Sequence, residues 1–414
     1  MLKPVSRADA RSLISMPEFV TIIALLMALT ALSIDIMLPA LPAIGAEFSL
    51  TDDNAAQAVV TAYMLGFALG QIVYGPLSDS WGRKPLLMAG LVLYGIASFA
   101  LVFSDSFAFL LAARFVQGFG SAAPRVIAIA AVRDLFGGRE MARVMSFVMM
   151  VFIIVPVLAP TVGGAILLAG TWHWIFWFMF LVAVIAIAWS ALRLPETHPA
   201  EKQEPLSMTW LARAAKTTIT TRQTVGYTLA IALIFGCLLG YINSAQQIFA
   251  DIYGVHDSFP VFFGAIAAVL AVASFLNSRL VESMGMRRLS HTALVFFAAT
   301  GIVHTLLALF WPPSVYVFSA ILAINLLAFG FIMPNFNAMA MEPLGRIGGM
   351  ASSFVGCIQT TGGAVLGYMV GQAYNGTIMP LTLGYAVFGS IALFVVLVTE
   401  RGRLMQPVNE VSPG

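Results

Sequence analysis

The chain is short of charge and of cysteine. Only 10% of its 414 residues are Asp, Glu, Lys or Arg, against about a quarter in a soluble domain. That supply cannot cover a water-facing surface, which excludes a soluble enzyme and a nucleic-acid binder. The two cysteines, Cys237 and Cys357, lie in apolar stretches without metal-ligand spacing, which excludes a disulfide scaffold and a thiolate metal site. Paired catalytic acids, a His or carboxylate metal cluster and a Ser/His constellation are missing from the apolar segments. The expectation is therefore a protein that is not an enzyme and holds no metal or cofactor.

What is present is apolar: 60% of the residues are hydrophobic, 12% are aromatic and the mean hydropathy is +0.93. A membrane-crossing helix uses about 20 residues, so there is material for about twelve. Apolar runs predict helices over 19–41, 55–77, 84–103, 107–131, 142–168, 173–193, 223–249, 258–280, 290–310, 314–334, 349–372 and 381–400. The alternating ten-residue pattern of a membrane barrel does not occur, so the fold class is an all-α membrane protein with twelve transmembrane helices.

The scarce charges orient these helices. Nineteen of the 21 Lys and Arg residues fall in the amino-terminal stretch, the even-numbered connections or the tail. The odd-numbered connections carry no basic residue but hold Glu47, Asp52, Asp53, Asp105, Asp251 and Asp257. The bias of Lys and Arg toward the cytoplasm therefore predicts both termini on the cytoplasmic side. The basic lead before the first helix suits an uncleaved signal anchor. The polar stretch 195–222, with Pro195, Pro199 and Pro205, reads as a cytoplasmic linker between an amino-terminal bundle (1–194) and a carboxyl-terminal bundle (223–414).

The halves echo one another. Asp79, Gly82 and Lys84 after the second helix recur as Glu282, Gly285 and Arg287 after the eighth, at an offset of 203. Duplication at half the chain length predicts two pseudo-symmetric six-helix bundles, an architecture typical of transporters that work by moving one bundle against the other.

Three charges remain inside predicted spans away from their ends: Asp35, Arg114 and Arg125. A charge at membrane depth is costly and is kept where it pairs or works. Asp35 either anchors the outer end of the first helix or takes up and releases a proton. Arg114 lies at a similar depth on the fourth helix, which makes Asp35 its expected partner. Arg125 follows eleven residues later, about 20° past three full turns, so both arginines share one helix face about 16 Å apart. It either contacts substrate, favouring anionic or electron-rich neutral compounds, or reaches back toward the cytoplasm.

Several segments then point to one family. Gly75-Pro-Leu-Ser-Asp79-Ser-Trp-Gly82-Arg83-Lys84-Pro85 resembles the signature loop of the major facilitator superfamily. Arg114-Phe-Val-Gln117-Gly118-Phe-Gly120 resembles its helix 4 motif, and Pro156-Val-Leu-Ala-Pro160-Thr-Val-Gly163-Gly164 its antiporter motif in helix 5. Ser33-Ile-Asp35-Ile-Met-Leu-Pro39-Ala-Leu-Pro42, Met145-Ser-Phe-Val-Met149 and Trp172-His-Trp-Ile-Phe-Trp177 are similar to the bicyclomycin and chloramphenicol exporters of the Bcr/CflA subfamily. The resemblance covers the whole chain and implies the major facilitator fold.

It also implies a proton-coupled antiporter that exports amphipathic drugs across the cytoplasmic (inner) membrane of a bacterium by alternating access, with Asp35 as the proton carrier and Arg114 tuning proton release. It implies gating by Gly75, Asp79, Gly82, Arg83, Asp134, Pro156, Pro160, Gly163 and Gly164, with Asp79 at the start of helix 11 and Arg83 paired to Asp134. Candidate substrate contacts, besides Arg125, are Tyr63, Phe67, Gln71, Gln117, Met145, Met149, Tyr241, Asn243, Gln246, Asn325 and Gln359. The partners expected are small amphipathic molecules, protons and the lipid bilayer, without nucleic acid, for a protein working as a monomer. An exporter of one metabolite, such as an amino acid or nucleoside, is the alternative, and a non-transporting membrane receptor or scaffold is the reading that has no need of Asp35.

Overall fold

The computed structural model describes residues 14–52, 54–136, 138–198, 208–255 and 258–406. Among them are twelve helices of 19 residues or more: α1 Met16–Asp35, α2 Ala58–Trp81, α3 Arg83–Leu101, α4 Phe107–Leu135, α5 Gly138–Ala169, α6 His173–Arg193, α7 Arg222–Gln247, α8 Phe259–Met284, α9 Met286–Phe310, α10 Val315–Met341, α11 Gly348–Gln372 and α12 Met379–Thr399. Eleven are long and apolar enough over the described residues to cross a bilayer. The other is α5, whose described apolar part is Ile154–Ala169.

Where helix ends depart from the apolar runs, backbone chemistry supplies the reason. The first helix was expected to continue to residue 41. Instead α1 stops at Asp35, and the chain passes through a 3-10 turn, Leu38–Ala40, into a short helix, Leu41–Glu47. Pro39 and Pro42 lack the amide hydrogens that a continuous ladder needs. At the opposite membrane face the helices outrun the apolar segments, as α2 does to Trp81, α4 to Leu135 and α10 to Met341. Hydropathy marks the lipid crossing, whereas the hydrogen-bond ladder continues into the polar ends. Pro156 and Pro160 sit inside an unbroken α5.

The chain forms two compact units. One comprises Met1–Arg213 with Ser352–Thr361; the other comprises Ala214–Ala351 with Gly362–Gly414. In the first, α2 and α4 touch backbone to backbone. A Cβ on Gly66 would run into the Phe115 carbonyl, and one on Gly118 into the Tyr63 carbonyl. Small residues at a membrane helix seam permit this approach. Residues 352–361 of α11 belong to the same unit, where Gln71 donates to Thr360 Oγ1 at 3.0 Å and Gly75 lies against Ser353. Glu18 receives a two-bond clasp from Arg193 (2.7 and 2.8 Å), and Trp172 donates to Glu47 at 2.6 Å, tying the first helical segment to both ends of α6.

In the second unit, Gly301 and Gly389 bring α9 and α12 together in the same way. Outside the spans, Tyr374 donates to Gln247 O and Asp251 Oδ2, both at 3.4 Å. Burial and the Asp251 charge push its phenol up to about 12. Large apolar side chains face outward on both units, among them Leu168 at 93% exposure and Phe394 at 65%. Trp311, Tyr316 and Trp81, also exposed, lie at helix ends, where aromatic residues meet the lipid headgroups.

Candidate functional site

Asp35 ends α1 with 4% of its surface exposed, and its Oδ1 is buried without a hydrogen-bond partner among the described residues. Gly163 of α5 approaches the carbonyl of the next residue, Ile36, so closely that a Cβ would collide with it. The acid therefore sits where α1 stops being helical and α5 comes nearest.

The expected pairing of Asp35 with Arg114 is not made. Arg114 is fully buried and donates from Nη1 to Gln117 Oε1 (2.6 Å), from Nη2 to the Ser33 carbonyl (3.0 Å) and from Nε to the Val59 carbonyl (3.2 Å). Its Cζ lies 4.5 Å from the centre of the Tyr63 ring. The Ser33 side chain bonds to Tyr94 of α3 at 2.7 Å, and Asp35 follows two residues later, about 200° round the helix. Arg114 thus grips α1 by a carbonyl just before Asp35, while the acid faces another way. A guanidinium spreads its donors over a planar fork, and three neutral acceptors with one ring face fill that fork without a carboxylate.

Around Arg114 the network closes on itself. Gln117 Nε2 donates to Ser98 Oγ (2.8 Å), and Ser98 Oγ donates to the Tyr94 carbonyl (2.7 Å). Since Ser33 Oγ donates to Leu29 O at 2.7 Å, its one proton is committed and Tyr94 must be the donor between them. Tyr63 Oη donates to Ser121 Oγ at 2.7 Å. Sequence reasoning missed Ser33, Tyr94, Ser98 and Ser121 because a lone hydroxyl in an apolar helix carries no periodic signal.

Arg125 is half-buried, with its Cζ 5.6 Å from the Phe67 ring centre. Tyr63 and Phe67 are one turn apart on α2, so the two arginines of α4 rest on successive aromatic rings. Both guanidinium groups therefore face α2, consistent with the eleven-residue spacing.

The other proposed contacts divide by exposure. Tyr63, Phe67, Gln117, Tyr241, Asn243, Asn325 and Gln359 are buried. Tyr241 stacks on Phe263, and Asn325 accepts from Thr300 at 2.9 Å while donating to Ile321 O at 3.0 Å. Gln71, Arg125, Met145 and Gln246 keep partial exposure. The side chain of Met149 lies outside the described residues.

At the polar end of the first unit, Arg83 Nε meets Asp134 Oδ2 at 3.0 Å and Nη1 meets Asp79 Oδ1 at 2.6 Å. Glu196 accepts from the backbone amides of Arg83 and Lys84, both at 3.0 Å. In the second unit, Arg287 bonds to Glu342 (3.4 Å) and Glu400 (3.3 Å). Gly82 and Gly285 precede α3 and α9 with φ of 90° and 76°, left-handed turns that favour glycine. Arg287 centres its cluster 204 residues after Arg83, and Glu400 lies 204 residues after Glu196, although Glu400 meets the guanidinium and Glu196 the backbone amides. The two glycines keep the offset of 203, while the arginine that centres each cluster is spaced by 204, so Arg287 does the work of Arg83 although it aligns with Lys84. Glu196 and Glu400 were missed, although their equal spacing was legible. Beside Glu400, Tyr227 donates to it at 2.5 Å, and His291 is held between Tyr227 (2.9 Å) and the amide of Met405 (3.0 Å).

Residues 23–367 match the Major Facilitator Superfamily profile. The chain belongs to this superfamily. Within it, the chain is 32% identical over 396 residues to the bicyclomycin resistance protein homolog of Haemophilus influenzae, covering 92% of this chain and 96% of that one. It is 28% identical over 386 residues to the multidrug resistance protein MdtL of Escherichia coli O157:H7, covering 91% and 94%. Among solved structures, the partially occluded, inward-open xylose transporter XylE of E. coli superposes with a TM-score of 0.74 at 13% identity, over 95% of this chain and 99% of that one. This major facilitator protein is thus a multi-pass membrane transporter related to drug-resistance proteins, and not an enzyme. The superfamily's two-fold repeat is visible here in the paired Arg83 and Arg287 clusters.

Proposed function

We propose that the protein is a proton-coupled antiporter exporting amphipathic drugs across the inner membrane, with Asp35 as the proton carrier and both termini in the cytoplasm. The carrying observation is the buried Asp35 carboxyl, with Oδ1 unpartnered among the described residues. An uncompensated anion at membrane depth is costly, and binding a proton cancels it. A fixed arginine partner would remove that incentive; here Arg114 is saturated by Gln117 and two carbonyls. It acts as a positioning residue that fixes α1 at Ser33, two residues before the acid.

In this reading, protonation of Asp35 from outside competes with substrate binding from inside, so each cycle exchanges a proton for a drug molecule. The membrane potential contributes about 2.3 kcal/mol per charge per 100 mV, enough to drive accumulation of a neutral substrate. In the first unit Arg125 and Met145 are the favoured substrate contacts, because they keep partial exposure; Gln246 is the favoured contact of the second unit on the same ground. The Arg83 cluster, with Gly75, Asp79, Gly82 and Asp134, serves as a latch that gates without binding. Pro156, Pro160 and Gly163 set the approach of α5 to the Asp35 end of α1, and Gly164 belongs to the same segment.

The resistance names of the two relatives support drugs over a single metabolite. The test is flux in proteoliposomes with an imposed pH gradient and a panel of chemically unrelated compounds. Mutual competition among them is expected, and Asp35→Asn should fold yet lose gradient-driven export. Parental export by that variant removes Asp35 from the mechanism; strict discrimination for one compound turns the assignment to a metabolite exporter.

A further inference from the structure

The segment before α7 folds as a helix, Met208–Thr220, that ends one residue before the spanning helix begins at Arg222. Its carboxyl-terminal end is therefore fixed at the membrane surface, and the helix is about 20 Å long at 1.5 Å per residue. Its residues sort into three strips. Ala214 and Thr218 are buried against the protein. Next around the wheel come Ala212 and Ile219, both exposed, with Ile219 at 62%. Beyond them lie Lys216 and Arg213, also exposed, and Arg222 continues the exposed positive charge past the helix end. No acid lies between residues 208 and 222.

The threonines at the end are turned inward. Thr218 donates to Ala214 O (2.8 Å), Thr220 to Lys216 O (2.7 Å) and Thr221 to Thr217 O (2.7 Å). These hydroxyls are satisfied by the helix's own carbonyls, so the exposed Thr220 adds no unmet polar group to the outer face. An apolar strip beside a basic strip, on a helix tethered at the bilayer surface, is the arrangement of an interfacial helix.

We infer that Met208–Thr220 lies in the headgroup layer and binds anionic phospholipid, with Ile219 and Ala212 dipping toward the acyl boundary and Arg213, Lys216 and Arg222 holding lipid phosphates. Charge complementarity selects the partner: a basic, acid-free strip at a membrane surface attracts anionic headgroups, each Lys or Arg contributing about fivefold in affinity. The inference stands independently of what the protein transports.

The full-length protein in detergent is titrated with phosphatidylglycerol and, separately, with phosphatidylcholine, and the bound lipid is counted by native mass spectrometry. Preference for phosphatidylglycerol is expected, and the exposed double substitution Arg213→Gln/Lys216→Gln should weaken it about 25-fold with phosphatidylcholine binding unchanged. In a second measurement, Ala212→Cys carries an environment-sensitive fluorophore; the native Cys237 and Cys357 are buried. Its emission should move to shorter wavelength when phosphatidylglycerol is added to phosphatidylcholine vesicles holding the protein. Parental phosphatidylglycerol affinity in the double variant overturns the inference. So does a label that stays in water in both vesicles, which would assign the face to a soluble acidic partner.

Discussion

The two units match at their polar ends and differ at membrane depth. Arg83 with Asp79 and Asp134 in the first unit corresponds to Arg287 with Glu342 and Glu400 in the second. Further in, the first unit holds Asp35, Arg114 and Arg125, while the second bonds its helices through neutral groups. Examples are Thr300 to Asn325 at 2.9 Å and Asn335 to Asn277 at 2.7 Å. What the two units share are the parts that turn the chain and clamp hairpins together. Among the described residues the deep carboxylate and guanidinium groups lie in the first unit, whereas the second unit holds the buried imidazole of His304.

The largest expected difference is functional. Asp35→Asn should abolish gradient-driven flux, whereas His304→Ala, removing an ionisable side chain inside a span of the second unit, should leave the pH profile of transport unchanged. A shifted profile in the His304 variant would break the comparison. Next, Arg114→Ala strands Gln117 and the Ser33 and Val59 carbonyls in a buried place, at about 1 kcal/mol or more for each. Thermal unfolding in detergent should report a total near 3 kcal/mol, with a wild-type melting curve as the contrary result.

At the polar ends, Arg83→Ala should cost about 3 kcal/mol because it takes the cation from the mostly buried Asp134, which keeps Thr197 at 3.4 Å, while the more exposed Asp79 adds little. Arg287→Ala should cost about 1 kcal/mol, since its bonds are longer and Glu342 is half exposed. Equal losses in parallel melts would mean that the two clusters carry equal weight. The smallest effect belongs to Asn325→Leu, for which a single interhelical bond in a membrane protein is worth about 0.6 kcal/mol. A loss several times larger would show that the neutral interior of the second unit is as demanding as the charged one.

Much of the fold was legible in one dimension. Apolar runs located the helices and the placement of Lys and Arg alternated their connections, because lipid imposes the same length and charge rules on every crossing. Helix ends were less legible: Pro39 and Pro42 stop α1 at Asp35, and α2, α4 and α10 continue past the apolar stretch. In the site, Asp35, Arg114 and Arg125 stood out because charge is rare at depth. Their partners did not, since Ser33, Tyr94, Ser98 and Ser121 look like any small or aromatic residue in a hydrophobic helix.

The sequence by itself determined which runs are long and apolar enough to cross a membrane and which three charges lie deep within them. Those properties depend on composition and spacing along a single helix. Only the tertiary structure decided that Arg114 serves Gln117 and two carbonyls, that Asp35 faces away from it, and that Arg287 corresponds to Arg83. These depend on which faces meet when helices pack. A residue's side of the helix follows from its number, but its neighbour on the next helix follows from where small residues such as Gly66, Gly118 and Gly163 let two backbones touch.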